Sequence, residues 1–160
     1  MSPHDHFAVQ EFVQRYWFHY DEGRLDVLRT YLADDCHLVS RTELGTHPHE
    51  GFIASDSRGV DAAMAWTRDH REHSPYPLRH MALNVWVKEE RGEEVDVESY
   101  LFVTQVVDMK PSPLSSGLVH WTLRREGGDY LVVRKDVVLD SIPSAEFHTV
   151  DFVKDRMAQW

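Results

Sequence analysis

The chain has 160 residues, of which 42% are apolar, and a formal net charge of −10 with histidine counted as neutral. This length suits one domain, predicted over residues 1–160, with a core of its own. The acidic balance excludes nucleic acid and an anionic membrane surface as partners, because both require basic clusters. The single cysteine, Cys36, excludes an intrachain disulfide. We therefore expect a cytoplasmic protein in which Cys36 is a buried structural thiol.

Helical spacing of apolar residues dominates the first half of the chain. Aromatic and aliphatic residues recur with this spacing over 6–20 and predict a first helix. A second helix is predicted over Leu25–Leu32, followed by a strand over Cys36–Thr42. Residues Glu43–Ser57 contain glycine and proline and predict a loop long enough to cover a site. A third helix is predicted over Asp61–His73.

Strand-like segments replace helical spacing in the second half. Four long strands are predicted, over Leu78–Glu89, Glu94–Asp108, Gly117–Arg125 and Asp129–Leu139. Short glycine turns join the first to the second and the third to the fourth, which predicts an antiparallel arrangement. Lys110–Ser116 is predicted to be a loop, and residues 142–160 an amphipathic segment that packs on the sheet or on a partner subunit. This order predicts an α+β fold, with N-terminal helices packed on a curved, mainly antiparallel sheet.

His80 is the residue that most suggests chemistry. It shares one face of its predicted strand with Asn84, among apolar neighbours, and a buried imidazole needs a polar partner. The candidate partner is Asp21 at the end of the first helix, where Tyr16 or Tyr20 lies close to it. A carboxylate that fixes the tautomer of an imidazole makes the ring a competent general base. The alternative is a solvated helix-terminal Asp21 and a hydrogen-bonded core His80.

Four segments resemble, in order, the cone-shaped fold of the nuclear-transport-factor-2-like (NTF2-like) superfamily. They are YDEGRLDVLRTYLADD, RGVDAAMAW, RHMALNV and LRREGGDYLVVRKDVVLD, which begin at residues 20, 58, 79 and 123. One branch, similar to SnoaL-type cyclases and scytalone dehydratase, implies a cofactor-independent lyase or isomerase that acts on a small hydroxylated aromatic or polycyclic molecule. In that branch Asp21 and His80 match an acid/base pair, and Tyr16 or Tyr20 would donate a hydrogen bond. For the dehydratase's second histidine, His120 is the candidate.

A second branch is the β subunit of aromatic-ring-hydroxylating dioxygenases. The segments RHMALNVWV, VDVESYLFV and LRREGGDYLVVRKDVVLD resemble its strands, and SAEFHTVDF resembles its C-terminal end. This resemblance implies a non-catalytic subunit without metal whose partner is an oxygenase α subunit, since the chain lacks Rieske Cys/His pairs. A binding module that only shelters a ligand is a third interpretation. A homodimer or homotrimer is expected, because the convex face of such a sheet needs covering.

The remaining candidates concern the wall of the cone. Asn84, His120, Arg134 and Trp17 are predicted to bind a small hydrophobic or aromatic substrate. Arg134 would hold an anionic oxygen if its side of the last strand faces inward, and would otherwise be a surface charge or part of a dimer interface. His70 is predicted to lie on an exposed helical face with His73. The HPHE segment at 47–50 has metal-ligand residue types but no third cluster at fixed spacing, so no metal is predicted.

Overall fold

The computed structural model describes residues 5–48 and 50–149. The helices are α1 (His6–Asp21), α2 (Leu25–Arg29), α3 (Glu50–Ile53) and α4 (Val60–Glu72). The strands are β1 (Leu32–Thr42), β2 (Ser55–Arg58), β3 (Leu78–Arg91), β4 (Glu94–Val107), β5 (Lys110–Glu126) and β6 (Asp129–Leu139). They form one sheet in the order β2-β1-β6-β5-β4-β3, in which the β1–β6 pair is parallel and the other pairs are antiparallel. The predicted α+β class with a mainly antiparallel sheet is confirmed.

Helix α1 places the end of its buried face beside the sheet. The side chain of Asp5 caps the helix by accepting from the backbone amides of Phe7 (2.9 Å) and Ala8 (3.3 Å). Residues at helical spacing then point inward and pack chiefly against β3, and they are Val9, Val13, Tyr16, Trp17 and Tyr20. Asp21 ends this buried face and is itself only 3% exposed. A carboxylate is thereby brought into the core at the last residue of the helix.

Two segments predicted as loops contain regular structure. The 43–57 segment holds α3 and β2, which pairs antiparallel with β1. Strand β5 begins at Lys110, because the connection from β4 is only Asp108 and Met109, both with positive φ. The prolines of KPSPLSS favoured a loop, but this half of β5 pairs with β4 alone, and an edge position tolerates the missing N–H of proline.

Other bounds differ from the predictions by smaller amounts. Helix α2 ends at Arg29 rather than at residue 32, and β1 begins at Leu32, four residues before the predicted strand. The amphipathic C-terminal segment falls mostly on residues 150–160, outside the described residues. The part that is described ends in a 3₁₀ turn over Phe147–Thr149, in which Phe147 is exposed. Across 5–48 and 50–149, no helix is both long and apolar enough to cross a membrane.

The core lies between the helices and one face of the sheet, called here the inner face. Cys36 and Trp121 are fully buried on it, and Cys36 is a free thiol, as predicted for a structural cysteine. Gly117 of β5 lies against the backbone of β6 so closely that a Cβ would collide with the carbonyl oxygen of Val138. Glycine is therefore required at this position for the two strands to approach.

Candidate active site

A cavity of about 340 Å³ opens between the inner face, α1, α3 and α4. Most of its wall is apolar, which suits a small organic ligand. Its aromatic wall includes Trp17, Phe52 and Trp66. The titratable side chains that reach the wall are Tyr20, His47, His70, His80, Lys135 and Asp140.

Asp21 contacts His80 from behind the wall of this cavity, which His80 itself lines. Nδ1 of His80 lies 2.6 Å from Oδ1 of Asp21, and the backbone N–H of His80 donates to Oδ2 at 2.7 Å. Both carboxylate oxygens are thus engaged by one residue. Because a carboxylate only accepts hydrogen bonds, Nδ1 carries the ring proton and Nε2 carries the lone pair. The geometry is that of a base held in one tautomer.

The surroundings of His80 keep its ring neutral and fixed. Its side chain is 9% exposed, and its ring stacks on Trp17 with centroids 4.7 Å apart and planes 7° from parallel. Tyr20 closes another side with its ring perpendicular to the imidazole at 5.1 Å. Burial lowers the pKa of His80, and the hydrogen bond and charge of Asp21 oppose that effect without cancelling it. A neutral imidazole of this kind is ready to accept a proton.

Arg71 of α4 fastens the end of α1. Its Nε donates to the carbonyl oxygen of Tyr20 at 3.1 Å, and its NH2 donates to that of Asp21 at 2.7 Å. A third bond reaches the carbonyl oxygen of Pro75 at 3.2 Å. The guanidinium therefore satisfies carbonyls that a helix C-terminus leaves without partners, and its charge complements the helix dipole there. It thereby fixes the backbone that carries Asp21.

Tyr20 and His70 form a second polar couple in the cavity. The Tyr20 hydroxyl lies 2.5 Å from Nδ1 of His70, whose ring stacks between Phe52 (4.6 Å) and Trp66 (4.7 Å). Burial lowers the pKa of His70 to about 4, with smaller contributions from the charges of His80, Lys135 and Arg71. Burial also raises the pKa of Tyr20, so both groups are neutral near pH 7. Whichever group donates, the couple keeps one further polar hydrogen, Nε2–H or O–H.

Lys135 brings a cationic group to the same cavity. It lies on β6 with its side chain on the inner face, and the residue is 5% exposed. Its Nζ donates to the hydroxyl of Tyr16 at 2.8 Å and lies over the rings of Tyr16 (4.5 Å) and Trp17 (4.8 Å). Burial lowers the pKa of this amine to about 7.

The structure brings together five of the eight predicted site residues as contacting side chains: Asp21, His80, Tyr20, Trp17 and Tyr16. Tyr16 does not itself line the cavity; it is fully buried and contacts both Lys135 and Trp17, which do line it. The residues that sequence reasoning missed are His70 and Lys135. The sequence contained a pattern that pointed to each residue. His70 follows Trp66 by about one helical turn, and Lys135 lies at two-residue spacing from Val133 and Val137, which in a strand favours the same face.

Asn84, His120 and Arg134 do not line the cavity, contrary to prediction. A bulge between Leu83 and Trp86 breaks the alternation of β3, and Asn84 has φ 52° and faces solvent. His120 lies on the outer face, since its neighbour Trp121 points inward, and it approaches Asp96 at 3.9 Å. Arg134 also faces outward and pairs with Asp136 at 2.7 Å.

The predictions for the other histidines had different outcomes. His73, directly after α4, is exposed as expected, while His70 of α4 is a cavity residue, which corrects the prediction of an exposed face for His70. His47 lies on the cavity wall, His49 is outside the described residues, and Glu50 accepts from the backbone amide of Thr42. Within 5–48 and 50–149 no group of three or more His, Cys, Asp or Glu side chains could hold a metal ion.

The fold and the site are those of an NTF2-like protein in which a hydrogen-bonded aspartate–histidine pair lies beside an apolar cavity. A sequence model of the SnoaL-like domain matches residues 2–136, and the chain belongs to that family. No curated protein sequence matches the chain. The match to the family model confirms the resemblance inferred from the sequence, at the level of family and fold.

Solved structures extend the comparison. The β subunit of benzoate 1,2-dioxygenase from Burkholderia mallei is similar with a TM-score of 0.70 at 15% identity, over 94% of this chain and 100% of that one. A protein provisionally described as a scytalone dehydratase from Novosphingobium aromaticivorans has a TM-score of 0.67 at 15% identity, over 87% and 93% of the two chains. An NTF2-like protein with a cystatin-like fold from N. aromaticivorans has 0.65 at 19%, over 82% and 79%. At such identities the likeness shows the fold alone.

Proposed function

We propose that this protein is a cofactor-independent lyase or isomerase that moves a proton at a carbon next to an activating carbonyl. Asp21 and His80 are its acid/base pair. The observation that carries the proposal is the 2.6 Å contact between His80 Nδ1 and Asp21 Oδ1 on the wall of an apolar cavity of about 340 Å³. A desolvated, oriented imidazole beside a ligand-sized space is the arrangement that general base catalysis requires.

In the proposed reaction Nε2 of His80 takes the proton from carbon, and the C–H electron pair moves towards the carbonyl oxygen. Asp21 holds the ring and stabilises the imidazolium that forms. The free polar hydrogen of the Tyr20–His70 couple donates to the developing oxyanion. In a dehydration, His80 then returns the proton to a β-hydroxyl, which leaves as water. In an isomerisation, His80 returns it to a different carbon.

The wall of the cavity supports a small hydroxylated aromatic or polycyclic substrate. Trp17, Phe52 and Trp66 offer ring faces, and aliphatic side chains of the inner face complete the wall. Two of the three histidines on the described wall of the cavity have different tasks in this proposal, because His80 is bonded to a carboxylate and His70 to the Tyr20 hydroxyl. Environments that set two titratable groups apart are typical of acid/base sites.

The test is proton exchange, which needs only the first half of the reaction. The protein is incubated in D₂O with 2-tetralone, and loss of the α-proton NMR signals is followed. We expect faster exchange with wild-type protein than with His80→Ala or Asp21→Asn, and unchanged exchange with His73→Ala, an exposed histidine directly after α4. Equal exchange by wild type and His80→Ala would contradict the proposed base.

A second candidate is the non-catalytic β subunit of a ring-hydroxylating dioxygenase. It is favoured by the end-to-end similarity to the benzoate 1,2-dioxygenase β subunit, of which the whole length is matched. Co-expression with Rieske-type α subunits encoded nearby, followed by size-exclusion chromatography, tests it. A stable mixed complex would support the subunit, whereas such a subunit has no need of proton exchange that depends on His80.

A further inference from the structure

Lys135 is the one cationic side chain on the described wall of the cavity, apart from any protonated histidine. It is 5% exposed, and its Nζ is surrounded by the rings of Tyr16, Trp17 and Trp121 at 4.5, 4.8 and 5.8 Å. Ring faces attract an ammonium group and offset part of its desolvation. They do not neutralise its charge.

The amine has no carboxylate partner within 4.0 Å among the residues that the structure describes. Lys88, by contrast, has Glu98 at 2.6 Å. A protonated amine has three N–H donors, and the one hydrogen bond recorded for Lys135 is to the Tyr16 hydroxyl. A buried ammonium group whose other donors have no such partner is costly to the fold unless it loses its proton or a bound ligand supplies the negative charge.

The chain carries that cation into its cavity although its formal net charge is −10. Acidic residues are therefore plentiful, yet Asp140 of the wall accepts from Ser116 at 2.7 Å, and Asp21, which lies behind the wall, binds His80. The charge of Lys135 lowers the pKa of both His70 and His80, so the amine lies close enough to influence each imidazole.

We propose that the ligand of this cavity is an apolar, ring-sized molecule with one anionic oxygen, a carboxylate or a phenolate or enolate, which pairs with the Lys135 ammonium. This inference rests on the proposed function for the site and narrows its substrate class. The anionic oxygen accepts hydrogen bonds from the N–H groups of Lys135 that do not bond to Tyr16, and the ring of the ligand lies against the aromatic wall. The carbon framework is then held beside His80 and the Tyr20–His70 couple.

Three acids and their primary amides provide the test: benzoate, 1-naphthoate and indole-3-acetate, each measured by isothermal titration calorimetry at pH 6.5. Acid and amide have nearly the same shape, so their difference reports the charge. A charge-assisted bond in a buried site gives the acids at least about tenfold higher affinity than the amides for wild-type protein. Lys135→Met removes that preference while amide binding stays within about threefold, and Lys88→Met keeps the preference.

Several outcomes overturn the proposal: no acid binding more tightly than its amide, no acid binding at all, or a preference that survives Lys135→Met. A thermal melt of the Lys135→Met variant accompanies each titration to establish that it is folded. The proposed function fails separately. If His80→Ala leaves proton exchange unchanged while Lys135→Met abolishes the acid preference, the cavity binds anions without using His80 as a base.

Discussion

Two histidine–aspartate pairs in this molecule have the same length and contrasting surroundings. The inner pair joins His80 Nδ1 to Asp21 Oδ1, and the outer pair joins His37 Nε2 to Asp56 Oδ1, each at 2.6 Å. Asp21 is 5% exposed in its side chain, whereas Asp56 is 63% exposed and also has Arg58 at 3.7 Å.

The second ring nitrogen separates the two pairs further. Nδ1 of His37 lies 3.3 Å from a guanidinium nitrogen of Arg134, so its lone pair is engaged by a donor. The corresponding nitrogen of His80 belongs to a ring that forms part of a cavity wall. A short contact to a carboxylate is therefore insufficient for general base chemistry. The imidazole also needs a free nitrogen, a carboxylate partner that is shielded from solvent, and room for a substrate.

The largest expected difference is in catalysis. Asp21→Asn replaces an acceptor with an amide that can donate, so His80 loses its enforced tautomer, and proton exchange is expected to fall by about 10³-fold. Asp56→Asn makes the same chemical change in the outer pair and leaves exchange unaltered. Exchange on 2-tetralone followed by NMR checks both variants. Similar rates for the two would abolish the distinction between the pairs.

The inner pair should also contribute more than the outer pair to the free energy of unfolding. Asp21→Ala removes both acceptors of His80 inside the core and is expected to lower the free energy of unfolding by about 3 kcal/mol. Asp56→Ala removes a solvent-exposed partner and should leave the urea midpoint unchanged within error. Urea denaturation at pH 7 with both variants measures this. A large loss on the outer face would mean that solvent exposure does not govern the strength of these pairs.

Lysines extend the comparison to cations. Burial lowers the pKa of the Lys135 amine to about 7, against 10.5 for an ordinary lysine side chain. Between about pH 7 and pH 10.5 the folded state therefore binds fewer protons than the unfolded state. Stability is lost as pH falls from about 10.5 towards 7. Lys135→Met should therefore raise the free energy of unfolding at pH 7 by about 3 kcal/mol, after allowance for the lost bond to Tyr16. Lys88→Met should change it by less than about 0.5 kcal/mol.

The smallest expected effect concerns acid stability. The pKa of His70 is about 4 in the folded protein against 6.5 as the ordinary value, so the unfolded state takes up its proton first. Stability that is complete above about pH 6.5 is lost as pH falls to about 4, by about 2 kcal/mol for this partly accessible ring. His70→Asn, which stays neutral, should lack that part of the pH dependence in thermal melts between pH 4 and 7. Parallel curves for the two proteins would show that His70 does not titrate in this way.

Periodicity was enough to predict the main elements of the fold. The aromatic spacing of α1 and the glycine turn before Asp129 place these elements within one or two residues, because local patterns determine them. The 43–57 segment was mispredicted because α3 and β2 are too short to have a period of their own. β2 is a strand by virtue of pairing with β1, which is a tertiary contact.

The candidate site was predictable where its residues lie in regular elements. Asp21 and His80 come from the end of α1 and the first half of β3, where the phase of each element is clear. Asn84 follows in β3 at the bulge, where one irregular residue changes the phase. On β6 the charged run Arg134, Lys135, Asp136 alternates between faces, and which charge points inward depends on the packing of the whole sheet.

The bonds from Arg71 to three carbonyl oxygens bear on which residues of this cavity can be substituted. The guanidinium ties the backbone of Tyr20 and Asp21 and the segment at Pro75 to α4, so the residues proposed for proton transfer stand on one anchored floor. Several wall residues take no part in those bonds, among them Val39, Ser40, Leu114 and Ser115. Substitutions there would alter the shape offered to a ligand without disturbing the floor. A mutant library confined to such positions is thus a rational starting point for changing substrate range while retaining the chemistry.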